Sequence, residues 1–352
     1  MLLHRGCWTI ENHAYRRCPE PDRQFRCAVS LHNHSCHSVE RLAALNRVVK
    51  LGFMRPLSGT LQRAFGLGGI TNLNYGDVVY NPPYTPEDVY RMEASGVAPL
   101  GFEDIQFAIT DHDEYIGGVR LLEKRPDLVG RVGIGEELSV RFQGHLFHLG
   151  LVGLAAQDID KSQEAIQASA RAGRLDDLFE ILHASGCLVI LNHPLVHWTA
   201  GGMEAVPVTP LLDRYGWAIH ALEFNGMRPV EENHKVLDLA RNWHKPVVGG
   251  GDSHLLVPSS VVCVSQTSSI ASFISEVKDG HAVPLIKEDY WAPLGWKLFL
   301  RVLCFIAHYR QIASFKDQPV SEMLKDRTVL LDPMGRASRS FLALVSALGL
   351  AR

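Results

Sequence analysis

From residue 28 to about 285 the chain alternates between short apolar runs and longer segments whose apolar positions recur at helical spacing. The runs "AVSLHNH" (28–34), "IQFAIT" (105–110), "RVGIGEELSV" (131–140), "HLFHLGLVG" (145–153), "CLVILNH" (187–193), "IHALEFN" (219–225), "PVVGGG" (246–251) and "SVVCVS" (260–265) have the length and content of strands. Between them, "TPEDVYRMEAS" carries a Thr cap and an acidic first turn, and "RLDDLFEILHASG" ends on glycine, so both read as helices. Strand–helix alternation over this length predicts parallel α/β architecture, either barrel or doubly wound. The stretch "RVGIGEELSV-RFQG-HLFHLGLVG" departs from the rhythm and reads as two strands joined by a tight turn.

Two regions fall outside the pattern. Residues 41–76 hold Arg41, Arg47, Lys50, Arg55 and Arg63 with no Asp or Glu, and residues 286–352 read as a mostly helical layer. The composition, 46% hydrophobic and 21% charged over 352 residues, suits one large α/β domain with an appendage. A net charge of −3 argues against a general nucleic-acid binder, so no stable nucleic-acid complex is expected. Seven cysteines without a CxxC pair fit a reducing, cytoplasmic setting. The N-terminus lacks an apolar core of signal-peptide length. The most apolar stretch, 292–310, is interrupted by Lys297 and Arg301, so no membrane span is expected.

The remaining His, Asp and Glu collect at strand ends. His32 and His34, one residue apart, share a face if their segment is extended. "AIT" runs into Asp111-His112-Asp113, "GIG" into Glu136-Glu137, "LVILN" into His193, "ALEFN" carries Glu223, and "VVGGG" runs into Asp252-Ser253-His254; "HLFHLG" contributes His145 and His148. In parallel α/β barrels the strand C-termini form one rim, where active sites lie. Imidazoles and carboxylates gathered there suit a metal centre.

In order and spacing these motifs resemble those of the polymerase and histidinol phosphatase (PHP) superfamily of metal-dependent phosphoesterases. "LHNHSCHS" is similar to HxHSxxS, "AITDHDEYIGG" to ITDHDxxxG, "GEELS" to GxExS, "NHP" to an AHP-type motif and "GGDSH" to GSDAH. The resemblance covers roughly residues 28–285. It implies a distorted (β/α)7 barrel of PHP type over 28–285, with residues 1–27 as an N-terminal extension, 41–104 as an insertion with a helix, and 286–352 as a C-terminal helical appendage.

Carried over residue by residue, the implied metal ligands are His32, His34, His112, Glu137, His145, His193, Asp252 and His254, with Glu137 bridging two ions. His145 is preferred to His148 for its place after "QG" and five residues before Gly150; His148 then reads as a packed or supporting histidine. The family's first motif normally continues to an Asp; Val39 stands there and cannot ligate, with Glu40 and His37 as substitutes for a third site. The implied cofactors are two or three divalent ions, and mixed His and carboxylate ligands suit Zn, Mn or Fe. Asp252 or a rim histidine is the candidate proton acceptor or donor, and His197, Arg228 and Arg141 are candidate phosphate contacts. The implied activity is hydrolysis of a small phosphorylated substrate by metal-activated water. Two other readings stay open: hydrolysis of a non-phosphate ester or an amide, and a non-catalytic binding module.

Overall fold

The computed structural model describes residues 7–38, 40–41, 79–80, 82, 84–157, 159–199, 202–205, 208–254 and 257–292. Each apolar run becomes a strand, most of them shortened by a few residues and β7 lengthened to Phe142: β3 (Cys27–Ser30), β6 (Ile105–Ile109), β7 (Val132–Phe142), β8 (His145–Val152), β9 (Leu188–Asn192), β12 (Ala221–Asn225), β13 (Val247–Gly250) and β14 (Val261–Ser265). A hairpin of β1 (Cys7–Glu11) and β2 (Ala14–Cys18), and a strand β15 (Val283–Ile286), complete one sheet. Its order is β13-β12-β9-β8-β7-β6-β3-β14-β15-β1-β2. Residues 7–18, expected as part of an extension, thus lengthen this sheet, through β1 antiparallel to β15. Two small hairpins stand apart: β4 (Glu40–Arg41) with β5 (Val79–Tyr80), and β10 (Val196–Thr199) with β11 (Gly202–Ala205).

The pairing fixes direction. β3, β6 and β7 are parallel, as are β9, β12 and β13, and β8 lies antiparallel between β7 and β9. All six therefore point one way, and their C-terminal ends form one rim. Beyond the regular ladders the rim is extended by bridges Asn33↔Ser253 and His112↔Glu137, with Thr110 N–H donating to Asn33 O at 2.8 Å.

The sheet curls until β13 faces β14. No ladder joins these two; Gly249 N–H meets Cys263 Sγ at 3.0 Å, and a Cβ on Gly249 would fall 2.5 Å from Val262 O. Only a glycine allows that approach. The result is a curled mixed sheet, antiparallel at β7/β8/β9 and at β3/β14.

Three apolar cores follow from strand alternation. On the outer surface, Leu138, Val140, Leu149 and Leu151 pack with helices Leu175–Ser185 and Val230–Asn242. Ile105, Phe107 and Ile109 pack with helix Pro86–Val97. That helix starts with the capping box expected from "TPED": Asp88 N–H donates to Thr85 Oγ1 at 3.2 Å, and Thr85 N–H to Asp88 Oδ2 at 3.1 Å. Inside the curl, Val29, Ala108, Val152, Ile190, Ala221, Val248 and Cys263 meet Phe273, Ile274 and Val277 of helix Ile270–Lys278. Ile270 N–H bonds Gly130 O, just before β7 begins, so this helix closes the end of the curl opposite the rim.

Val39, the basic positions Arg47, Lys50, Arg55 and Arg63, and residues 293–352 of the expected appendage lie outside the described residues. Among the described residues no helix is long and apolar enough to cross a membrane, and Cys7, Cys18, Cys27, Cys36, Cys187 and Cys263 are free thiols.

Phe273 is the large side chain of the inner plug, 1% exposed. Phe273→Ala should lower stability by about 3–5 kcal/mol, read as a shift in denaturant midpoint at unchanged slope.

Candidate metal centre

Glu137 sits in β7 with 0% exposure. Five imidazoles surround it. Their nitrogens lie from its carboxylate oxygens at 3.2 Å (His32 Nε2), 3.4 Å (His34 Nε2), 3.3 Å (His112 Nδ1), 3.3 Å (His148 Nδ1) and 3.2 Å (His193 Nε2). The five rings form a closed circuit, with successive centroids 5.1, 4.9, 4.8, 5.1 and 6.1 Å apart from His32 through His34, His112, His148 and His193 back to His32. His254 stacks on His34 from outside, at 4.0 Å.

Strand register decides which histidine of β8 takes part. Glu137 pairs with Gly150, so positions 146, 148 and 150 share its face. His148 therefore enters the cluster, and His145, three residues away, does not. His145 pairs with Phe142 at the far end of the hairpin, on the face that carries Phe147 and Leu149 into the outer core. The register thus brings His148 to the cluster where the resemblance implies His145. The same alternation turns Glu136 away from the cluster, toward Gln167 Nε2 at 2.8 Å; burial pushes its carboxyl up to about 7.

Oriented neighbours fix the other groups. His32 Nδ1 lies 2.6 Å from Glu223 Oε1; a carboxylate only accepts, so Nδ1 carries the proton and Nε2 faces Glu137. Glu223 Oε2 accepts from His193 N–H at 2.8 Å. A Cβ on Gly250 would fall 1.8 Å from Glu223 Oε1, which gives the glycine run before Asp252 its reason. His34 Nδ1 lies 3.1 Å from Ser38 Oγ, which also accepts from His112 N–H at 2.9 Å. Ser35 Oγ donates to the fully buried Asp111 at 2.7 Å, tying the first two motif loops together. His193 and Asp252 hold left-handed backbone, φ 29° and 49°. Such conformations cost roughly 1–3 kcal/mol each and persist where the surroundings over-determine them.

The carboxylate oxygens of Glu137 are divided. Oε2 faces His32, His34 and His112, while Oε1 faces His148 and His193 and accepts from Asn192 Nδ2 at 2.9 Å. Asp252 Oδ1 lies 3.9 Å from both His32 Nε2 and His34 Nε2, and 3.2 Å from His254 Nδ1. His32 Nε2, Glu137 Oε2 and His148 Nδ1 are buried yet make no hydrogen bond. Buried nitrogens and oxygens of this kind, close together without a hydrogen bond, suit cation ligands. Burial would lower the His32 pKa, but Glu137, Glu223 and Asp252 outweigh it and hold it well above the ordinary value. Burial would likewise raise Glu137; His32, His112 and His148 instead hold it well below the carboxylate range. Among the described residues, three groups have ligand atoms mutually within 4.8 Å: His34, His112, His254; His32, His34, Glu137; and His112, Glu137, His148. This donor set fits divalent transition metals.

Of the residues expected from sequence, His32, His34, His112, Glu137, His193, Asp252 and His254 come together, and His145 stays apart. His197 lies in β10, paired with Glu204 in the hairpin that follows His193. Arg228 is buried on the loop after β12, its N–H bonded to Asn225 O at 3.1 Å and its Nε 3.7 Å from Glu232 Oε1. Arg141 is exposed, four residues along β7 from Glu137, about 13 Å by strand rise. Sequence reasoning left the role of Glu223 open and did not single out Asn192. Each acts through a partner distant in sequence.

No family model matches the chain, and no curated protein matches it. Solved structures do. A proposed metal-dependent phosphoesterase from Bifidobacterium adolescentis is 14% identical over 55% of this chain and 90% of its own, with a TM-score of 0.38. An amidohydrolase from Chromobacterium violaceum with bound sulfate and no metal is 15% identical over 50% and 84%, with a TM-score of 0.37. A two-domain protein from Bacteroides vulgatus containing a predicted PHP-like metal-dependent phosphoesterase is 12% identical over 56% and 59%, with a TM-score of 0.38. Likenesses of this extent do not assign an activity.

Two outcomes follow from the geometry. His148→Ala should lose metal affinity severely, whereas His145→Ala should keep metal content and melting temperature near wild type; elemental analysis and Mn2+ titration compare them. Because Glu137, Glu223 and Asp252 outweigh burial and favour the charged form of His32, a cation at Nε2 competes with a proton. Apparent Mn2+ affinity should therefore rise with pH, roughly tenfold per unit for each proton released, and calorimetry in buffers of different ionisation enthalpy should detect the release.

Proposed function

We propose that this chain is a metal-dependent hydrolase of phosphate esters, of the PHP kind. The observation that carries the reading is the circuit of five imidazoles around one buried carboxylate whose two oxygens face different histidines. In it, His32, His34 and Glu137 would hold one ion, His112, His148 and Glu137 a second, and His34, His112 and His254 offer a further group, with His193 and Asp252 adjoining. When bound, Zn, Mn or Fe ions would supply Lewis acidity toward a phosphoryl oxygen and toward water.

The protein's own groups have distinct parts. The side chains of His112 and His254 are 15% and 26% exposed, while those of His32, His34 and His193 are at most 3% exposed, so substrate arrives over the former pair. Asp252, beside His254 Nδ1 at 3.2 Å, is the group placed to accept a proton and pass it to the solvent-facing imidazole. Arg228 supplies a buried guanidinium to bind and neutralise a phosphoryl oxygen. His197, four residues past His193, is assigned as a further phosphate contact.

The test is turnover by protein purified without chelator and loaded with Mn2+, on phosphomonoesters, a phosphodiester and N-acyl amides bearing one common leaving group. Hydrolysis of the phosphate esters supports the reading. Hydrolysis confined to the amides replaces it with the amidase alternative, and tight metal without any turnover replaces it with a binding module. Arg228→Ala should raise KM for a phosphate ester by roughly 10–100-fold, the loss of one charge-assisted hydrogen bond, with little change in metal content.

A further inference from the structure

Asn225 ends β12, two residues beyond Glu223, and is fully buried. Its amide can be oriented only one way. Nδ2 lies 2.9 Å from Glu223 Oε2 and 3.2 Å from Asp252 Oδ2, both acceptors, while Oδ1 accepts from Met227 N–H at 2.8 Å. Every polar atom of the side chain is therefore used. Its backbone is held separately: Asn225 N–H donates to Asn233 Oδ1 at 3.1 Å, and Asn225 O accepts from Asn233 Nδ2 at 2.9 Å. Asn233 is anchored in turn, Nδ2 donating to Tyr290 Oη at 2.7 Å.

The two carboxylates served by this amide have different tasks. Glu223 orients His32, and Asp252 turns Oδ1 toward His32, His34 and His254. A shared donor between them does two things. It relieves repulsion between two buried anions, and it occupies Asp252 Oδ2, leaving only Oδ1 on the side of the imidazoles. A carboxylate so held ligates through one oxygen. Large, hard cations such as Ca2+ gather six to eight oxygens and often take carboxylates through both, whereas compact centres with several imidazoles need one.

We infer that Asn225 is a positioning residue that holds Asp252 as a one-oxygen ligand and thereby favours a small transition-metal ion over Ca2+. The inference rests on the metal reading of the cluster and adds to it a residue that touches no ligand atom aimed at the centre.

The experiment is a double-variant cycle on the full chain, with Mn2+ and then Ca2+ titrated into metal-free protein by calorimetry. Asn225→Ala removes both donors and leaves the backbone bonds to Asn233 in place. With Asp252 present, it should weaken Mn2+ binding about 10–100-fold and narrow the preference for Mn2+ over Ca2+. In an Asp252→Ala background the same change should cost no more than about twofold, since the carboxylate through which it acts is gone. Should Asn225→Ala fail to fold, Asn225→Ser, whose short hydroxyl cannot reach both carboxylates, is read in the same cycle. Equal losses in both backgrounds, or no loss in either, overturn the inference. Wild-type protein that binds no Mn2+ fails the metal reading itself, an outcome separate from equal binding by wild type and variant.

Discussion

Everything at the rim depends on making the burial of Glu137 tolerable. An unpaired carboxylate in such a place costs several kcal/mol. Here the cost is offset by groups drawn from strands β3, β6, β8 and β9 or the loops beyond them, so the ionised state of one side chain requires these neighbours of β7 to be in register. The dependence runs both ways. Histidines crowded within about 5 Å of one another repel once protonated, and Glu137, Glu223 and Asp252 keep that arrangement compact.

The curl makes such a gathering possible because six strands deliver their ends to one rim while β8 enters from the opposite direction. Packing inside is left to small and branched side chains with Phe273 as the plug, and the outer faces are left to the helices. The rim is thereby freed from packing duty. Polar groups there answer to one another: Ser35 to Asp111, Ser38 to His34 and His112, Glu223 to His32 and His193.

Much of this was legible in the chain. The strands announced themselves as short β-branched runs, and the helix after Thr85 by its capping box. The motif series led to seven of the eight residues gathered at the rim. The eighth was missed for a reason with a local signal. Gln143 and Gly144 take φ 50° and 82°, a two-residue turn with both residues left-handed, which pairs Phe142 with His145. Counting back from that turn sets Glu137 opposite Gly150 and gives His148 the shared face. The "QG" pair could have supplied the count; family spacing overrode it. The hairpin of β1 and β2 escaped notice because "AYRRC" is an edge strand with a polar outer face, carrying little apolar pattern. The task of Glu223 was unreadable because it needs a gap at Gly250, and gaps between distant segments leave no mark in local composition.

The antiparallel placement of β8 has a consequence for how the pocket would fill. Glu137 and His148 ride on strands with ladder partners on both sides, so their positions are prepaid in folding entropy. His34, His112 and His254 sit past the strand ends, the first two held there by bonds to Ser253 O and Ser38 Oγ. The centre is graded from a buried floor to a lip where imidazoles reach solvent. Anything entering from solvent would meet the lip first and the buried carboxylate last.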